Sequence, residues 1–175
     1  MSSKSFMKLH IGGEQVKEGW KILNIQKKDG VDYVGDISDL SQFKDNSIEE
    51  IYASHVFEHV KMKKIKNTLI GIHRVISENG KFYVSVPDLR LLCKIFLDPK
   101  APTKVKIHAL QMMYGGQVDD YDIHYFGWDF ELLQDYLLAS GFKKVERVKS
   151  FSLFDDTSEF APYGPPISLN VIAYK

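Results

Sequence analysis

A three-layer α/β fold follows from two features of the chain. Short apolar runs alternate with helical patterns along its length, and the last two runs flank an acidic, Pro/Gly-containing loop as a wide antiparallel pair. A third feature bears on function: Gly12-Gly13, Asn24, Asp36 and Ser54-His55 each fall just past one of the first four strand candidates. Ligands of such sheets sit beyond the C-terminal ends of the strands, so one crevice is expected to collect these groups.

The elements follow in chain order. Lys8 to Ile11 is an apolar run stopped by two glycines, Lys21 to Ile25 ends before the turn cluster QKKDG, and Val31 to Val34 makes a third strand. After the polar loop FKDNS, Ile48 to Ala53 forms a fourth. Met62, Ile65, Leu69, Ile72, Val75 and Ile76 recur at spacings of three and four, which is one helix face, and Gly80 is expected to end that helix. Phe82, Val84 and Val86 alternate into a fifth strand closed by Pro87-Asp88. Residues 98–128 are less regular and rich in aromatics, and read as an insertion over the sheet. Asp129 is placed to N-cap a helix carrying Leu132, Leu133, Tyr136 and Leu137, with Gly141 ending it. Val145 to Phe154 and Ile167 to Tyr174 complete the set.

Composition bounds the function classes. The 175 residues, 44% of them hydrophobic, suffice for one domain, taken as 1–175. Lys plus Arg and Asp plus Glu both number 23, so no net field would hold a phosphate backbone, and nucleic acid is not expected as a partner. Cys93 is the single cysteine, which excludes an intrachain disulfide and a cysteine-based zinc cluster and fits a reducing, cytoplasmic setting. It follows LRLL on an apolar pattern and reads as a buried small residue. The N-terminus lacks a long apolar core and no run reaches the length of a membrane span, so neither a signal peptide nor a span is expected. Oligomeric state is not encoded in any readable stripe.

The segments KLHIGG and EGWKILNIQ, then VDYVGDISDLSQFKDNSIEEIYASHVFEHV, then IHRVISENGKFYVSVPDL, and ASGF before ISLNVIAYK together resemble the class I S-adenosylmethionine-dependent methyltransferases, in their compact type-11-like form. The resemblance implies a Rossmann-like methyltransferase fold with a mostly parallel seven-strand sheet and an antiparallel last strand. It also implies S-adenosyl-L-methionine as cofactor. Carried over by position, the loop near the methionine moiety is His10, Gly12, Gly13 and Glu14, and the ribose position is Asn24. The adenine position is Asp36 with Ile37, and the segment facing the methyl group is Ser54 with His55. Here Gly12-Gly13-Glu14 stands where the family has G-x-G, and Asn24 stands where it has an acid. The links from Ile11 to Lys21 and from Gln26 to Gly30 are too short for full crossover helices, so the fold is expected to be trimmed at the first helices. The segment 98–128 becomes a substrate-covering insertion. The acceptor is expected to be a small or carrier-bound molecule attacked through oxygen or nitrogen. A sulfonium donor needs mainly alignment and exclusion of water, with a base required only for a protonated acceptor. His55, and His124 in DYDIHYFGW, are the candidate bases.

The stretch His55-x-x-Glu58-His59 also spells H-x-x-E-H, which marks a class of zinc peptidase when it lies within a helix. Three readings stand at this point. The first is a methyltransferase turn without metal, in which His55 lines the pocket while Glu58 and His59 orient the loop. The second is a divalent ion assisting the substrate of a methyltransferase, and the third is a metal-dependent hydrolase. The first is adopted, and no metal is assigned. His73 and His108 are expected at helix surfaces or the core edge, and Asp88 either reaches substrate or forms a turn. Lys61 to Lys66 reads as a solvated helix face. A non-catalytic binding protein on the same fold, suggested by Glu14 and Asn24, is the alternative of a different class.

Overall fold

The computed structural model describes residues 7–175. The reading of the N-terminus as free of a signal peptide falls partly on residues 1–6 and lies outside the described residues. Among the described residues seven strands form one sheet: β1 (Met7–Ile11), β2 (Trp20–Asn24), β3 (Tyr33–Val34), β4 (Ile48–Ser54), β5 (Ile76–Pro87), β6 (Lys144–Val148) and β7 (Ser168–Tyr174). Their order is β3-β2-β1-β4-β5-β7-β6. The pairs from β3 through β5 are parallel, and β7 runs antiparallel to both β5 and β6. The chain leaves β1 in one direction for β2 and β3 and returns to its other side as β4. The β1/β4 boundary is therefore the topological switch point, where doubly wound sheets bind ligands.

The first two crossovers contain no helix. Gly12 to Gly19 and Ile25 to Asp32 are turns and extended chain, and both can reach back because the strands they join are short. The third strand shrinks to Tyr33–Val34, which pairs with Leu23 and Asn24 of β2.

Helix α1 (Ile65–Val75) buries Ile65, Leu69, Ile72 and Val75, the stripe that the spacing predicts. Two of its assigned ends are corrected. Met62 lies outside the helix in a single 3₁₀ turn and is 64% exposed. Gly80 ends no helix: Ile76 is already extended at ψ 135° and pairs with Ile48, so β5 begins at once. Sheet pairing overrides the local signal there. Glycine at 80 is explained by packing, because a Cβ would stand 2.7 Å from the Glu49 carbonyl oxygen.

Helices α2 (Leu89–Leu97) and α3 (Thr103–Tyr114) pack on each other, and α3 is the helix of the segment 98–128 that carries His108. Cys93 faces solvent on α2, and Leu92 is its buried member, which corrects the expectation of a buried thiol. Helix α4 (Phe130–Ala139) starts as its sequence predicts, with the Asp129 carboxylate accepting from the Leu132 N–H at 2.9 Å. Gly141 follows at φ 107°. No helix among the described residues is long and apolar enough to cross a membrane.

The two faces of the sheet are covered differently. Leu9, Ile51, Phe82, Val84 and Val171 pack with α1 and α4 into the main core. On the opposite face Trp20, Tyr52 and Tyr83 meet Phe151 and Phe154, which belong to the long loop between β6 and β7. The layer on that face is thus an aromatic strap rather than helices, the structural counterpart of the trimmed crossovers.

Candidate functional site

A cleft of about 430 Å³ opens at the switch point. Its walls are the strand ends: Ile11 and Gly12 after β1, Leu23 to Ile25 at β2, Gly35 to Ser38 after β3, and His55 with Val56 after β4. His59, Lys61 and Lys64 continue one side, and Asp120, Tyr121 and Tyr125 of the insertion close the rim. Gly12, Asn24, Asp36, Ile37 and His55 are therefore brought together as the sequence predicts.

Gly12 has φ 74°, and a Cβ there would stand 2.3 Å from Val56 Cγ2, so both its backbone and its close neighbour require glycine. Its N–H donates to the Leu23 carbonyl at 2.8 Å, which ties the β1 and β2 ends together. Asp36 is exposed at the cleft and accepts from the Ser38 N–H at 2.7 Å through Oδ1. Asn24 is buried, and both ends of its amide are engaged: Nδ2 donates to the Gly13 carbonyl at 3.2 Å and Oδ1 accepts from the Gln26 N–H at 3.0 Å. It holds the glycine turn in place.

The other positions carried over by resemblance do not line the cleft. His10 is 5% exposed and points to the aromatic face, with its ring 4.1 Å from that of Phe154 and 5.0 Å from that of Tyr52. Burial pushes its pKa down to about 4. Alternation along β1 explains this placement, since Leu9 and Ile11 take the helix-covered face. Gly13 lies against the His10 ring, where a Cβ would come within 2.4 Å of Nδ1. Glu14 is exposed and pairs with Lys28. Ser54 ends β4 with its hydroxyl buried.

His55 follows β4 in the left-handed region at φ 52°. The Ser168 hydroxyl donates to the Thr157 carbonyl at 2.9 Å, so its oxygen accepts from His55 Nε2–H at 2.8 Å. That leaves Nδ1 of His55 3.3 Å from Oε1 of Glu58. Glu58 is 1% exposed, and the contact lacks hydrogen-bond geometry, so neither carboxylate oxygen has a donor. Burial raises the Glu58 carboxyl, but the His55 imidazole beside it, with His59 and His124, outweighs burial and leaves it below the usual carboxylate range. The motif is not helical: Phe57–His59 is one 3₁₀ turn, and the α-helical frame that H-x-x-E-H peptidases use is not formed here.

His124 lies behind the cleft, not in its wall. It lines a small apolar cavity with Glu58, Met112 and Phe126, and its Nε2 is 3.9 Å from Glu58 Oε1. Burial lowers its pKa, against the pull of the Glu58 carboxylate. His73 sits partly buried on α1 against Phe142, and His108 partly buried on α3 near Tyr163. Asp88 turns away from any ligand: Oδ1 caps α2 at Leu91 N–H, 3.1 Å, and Oδ2 accepts from Arg147 at 2.8 Å.

Val56 and Ser38 are cleft residues that sequence reasoning did not single out, and Lys61 and Lys64, read there as a solvated helix face, border the cleft as well. Lys64 Nζ donates to Ser38 Oγ at 3.2 Å, and Lys61 Nζ stands 5.4 Å from the centre of the Tyr125 ring. The aromatic run ending in Tyr125 was a usable signal for the rim, whereas the lysines look like any solvated helix face until the 3₁₀ turns redirect them.

Residues 4–84 match the family described as "Methyltransferase domain". No curated protein matches. The whole chain resembles solved structures of methyltransferases. A SAM-dependent methyltransferase from Archaeoglobus fulgidus superposes with a TM-score of 0.63 at 16% identity, covering 97% of this chain and 86% of that one. A SAM-dependent methyltransferase from Thermotoga maritima gives 0.58 at 15%, covering 97% and 82%. Human N-acetylserotonin methyltransferase, solved with SAM, gives 0.54 at 15%, covering 100% and 49%. At these identities the likeness is one of fold, and the fold is that of the class I methyltransferases.

Proposed function

We propose that the chain binds S-adenosyl-L-methionine in the switch-point cleft and transfers its methyl group to an oxygen or nitrogen nucleophile of a small or carrier-bound acceptor. The observation that carries this reading is the convergence of Gly12, Asp36 and His55 on one cleft at the β1/β4 boundary. In this reading the Gly12 turn admits the methionine end, and Asp36 accepts from the adenine amino group while Ile37 borders the ring. The wall at His55 and Val56 faces the methyl. Tyr121 and Tyr125 offer flat apolar surface for the acceptor and exclude water, which a sulfonium transfer needs more than covalent help.

Deprotonation of the acceptor, where its nucleophile requires it, falls to His55 before His124, since His55 borders the cleft and His124 does not. Asn24 supports the non-catalytic alternative, because its amide is spent on Gly13 and Gln26 instead of being free for a ribose diol. Turnover separates the two. Purified protein with SAM and panels of hydroxyl and amine acceptors is expected to release S-adenosylhomocysteine with at least one class, and His55→Ala to slow that release. Absence of release from every panel, with cofactor bound, would favour the binding protein.

A further inference from the structure

We propose that Glu58, His59 and His124 form a binding site for a divalent cation of the zinc class, built into the wall between the cleft and the small cavity behind it. This deepens the methyl-transfer reading but rests on separate observations, and it replaces the metal-free turn that the sequence suggests. One ligand atom from each of the three side chains lies within 4.8 Å of the others. Small rotamer adjustments would close that set to metal-ligand spacing.

The hydrogen-bond bookkeeping around the cluster points the same way. His59 Nδ1 lies 3.1 Å from the Ile123 carbonyl and His124 Nδ1 lies 2.9 Å from the Met112 carbonyl. A carbonyl only accepts, so each Nδ1 carries the proton, and each Nε2 of the neutral ring is a lone pair. Backbone carbonyls fix ring orientation in this manner around metal-ligating histidines. Glu58 adds a carboxylate that is 1% exposed with no donor at either oxygen. His55 borders the cluster as well: its Nε2–H is committed to Ser168, and its Nδ1 lies 3.3 Å from Glu58 Oε1 without hydrogen-bond geometry.

A buried carboxylate with no hydrogen-bond partner among the described residues therefore faces two part-buried imidazoles, an arrangement costly without a cation. Two imidazoles and one carboxylate match zinc, or cobalt and iron in its place, and not magnesium, which prefers oxygen ligands and keeps its waters. The insertion completes the site: His124 arrives on the segment that also donates Tyr125 N–H to the Glu58 carbonyl at 2.9 Å. Metal binding would thus couple the rim of the cleft to the turn after β4.

The test uses the full chain, stripped with a chelator and titrated calorimetrically with zinc chloride, then with cobalt chloride while visible absorption is recorded. Expected are one equivalent bound at micromolar or lower Kd, a raised melting temperature, and cobalt bands of low coordination number. Glu58→Gln and His124→Asn should each weaken zinc at least about tenfold while the metal-free variants still melt cooperatively. No zinc binding below about 100 μM, or binding unchanged by both substitutions, would overturn the site. Zinc titrations need no methyl donor, so they succeed or fail independently of cofactor binding and turnover.

Discussion

His10 shows how one side chain can look like a ligand-binding residue and serve the fold instead. It sits beside the glycine turn in sequence, but strand alternation turns it into the aromatic cluster of Tyr52 and Phe154. Burial lowers its pKa from 6.5 to about 4 in the folded state. The unfolded chain therefore takes up the proton first as pH falls. The stabilisation from keeping this ring neutral is complete above about pH 6.5 and disappears as pH drops toward 4, about 3 kcal/mol over that window. Denaturant unfolding of His10→Phe from pH 7 to 4 should show a shallower loss of stability than the parent chain. Identical pH slopes would mean that the ring is solvated. Asn24 is the companion case, because its partner Gly13 lies across a loop and no local pattern reveals the bond.

Capping decides how the elements near the site begin. Asp88 and Asp129 both accept from the N–H three residues on, and both start helices. The Asp129 cap was legible from the apolar stripe after it, whereas Asp88, next to Pro87 at the end of a strand, admitted a substrate role equally well. Its second oxygen settles the matter by pairing with Arg147 across to β6. Asp88→Ala should cost about 2 kcal/mol by denaturant unfolding, and Asp88→Asn, which keeps an oxygen for Leu91 N–H, about half of that. Equal losses would assign the cost to the Arg147 pair rather than to the cap. Gly80 marks the limit of local reasoning: a helix-ending signal in sequence became a strand residue because β4 pairs on both sides of it, with Ile76 and from Lys81 onward.

At the scale of the whole molecule, the alternation of strands with helices, the shortened first crossovers and the antiparallel last strand were all readable, because each is written in local periodicity and loop length. The aromatic strap was not. Phe151 and Phe154 meet Tyr52 across about a hundred residues of chain, and nothing in their own neighbourhood announces it. The cleft falls between these cases: its strand-end residues follow from topology, and its rim depends on how the insertion folds back. The strap and the trimmed crossovers leave the switch point itself intact, so the account stands on whether that cleft takes the methyl donor. Calorimetric titration of the purified chain with S-adenosylmethionine and S-adenosylhomocysteine, repeated on Asp36→Ala, tests this most directly. Roughly micromolar binding of both ligands is expected, weakened at least about tenfold by the substitution. No heat at millimolar ligand, or an affinity indifferent to Asp36, would contradict it.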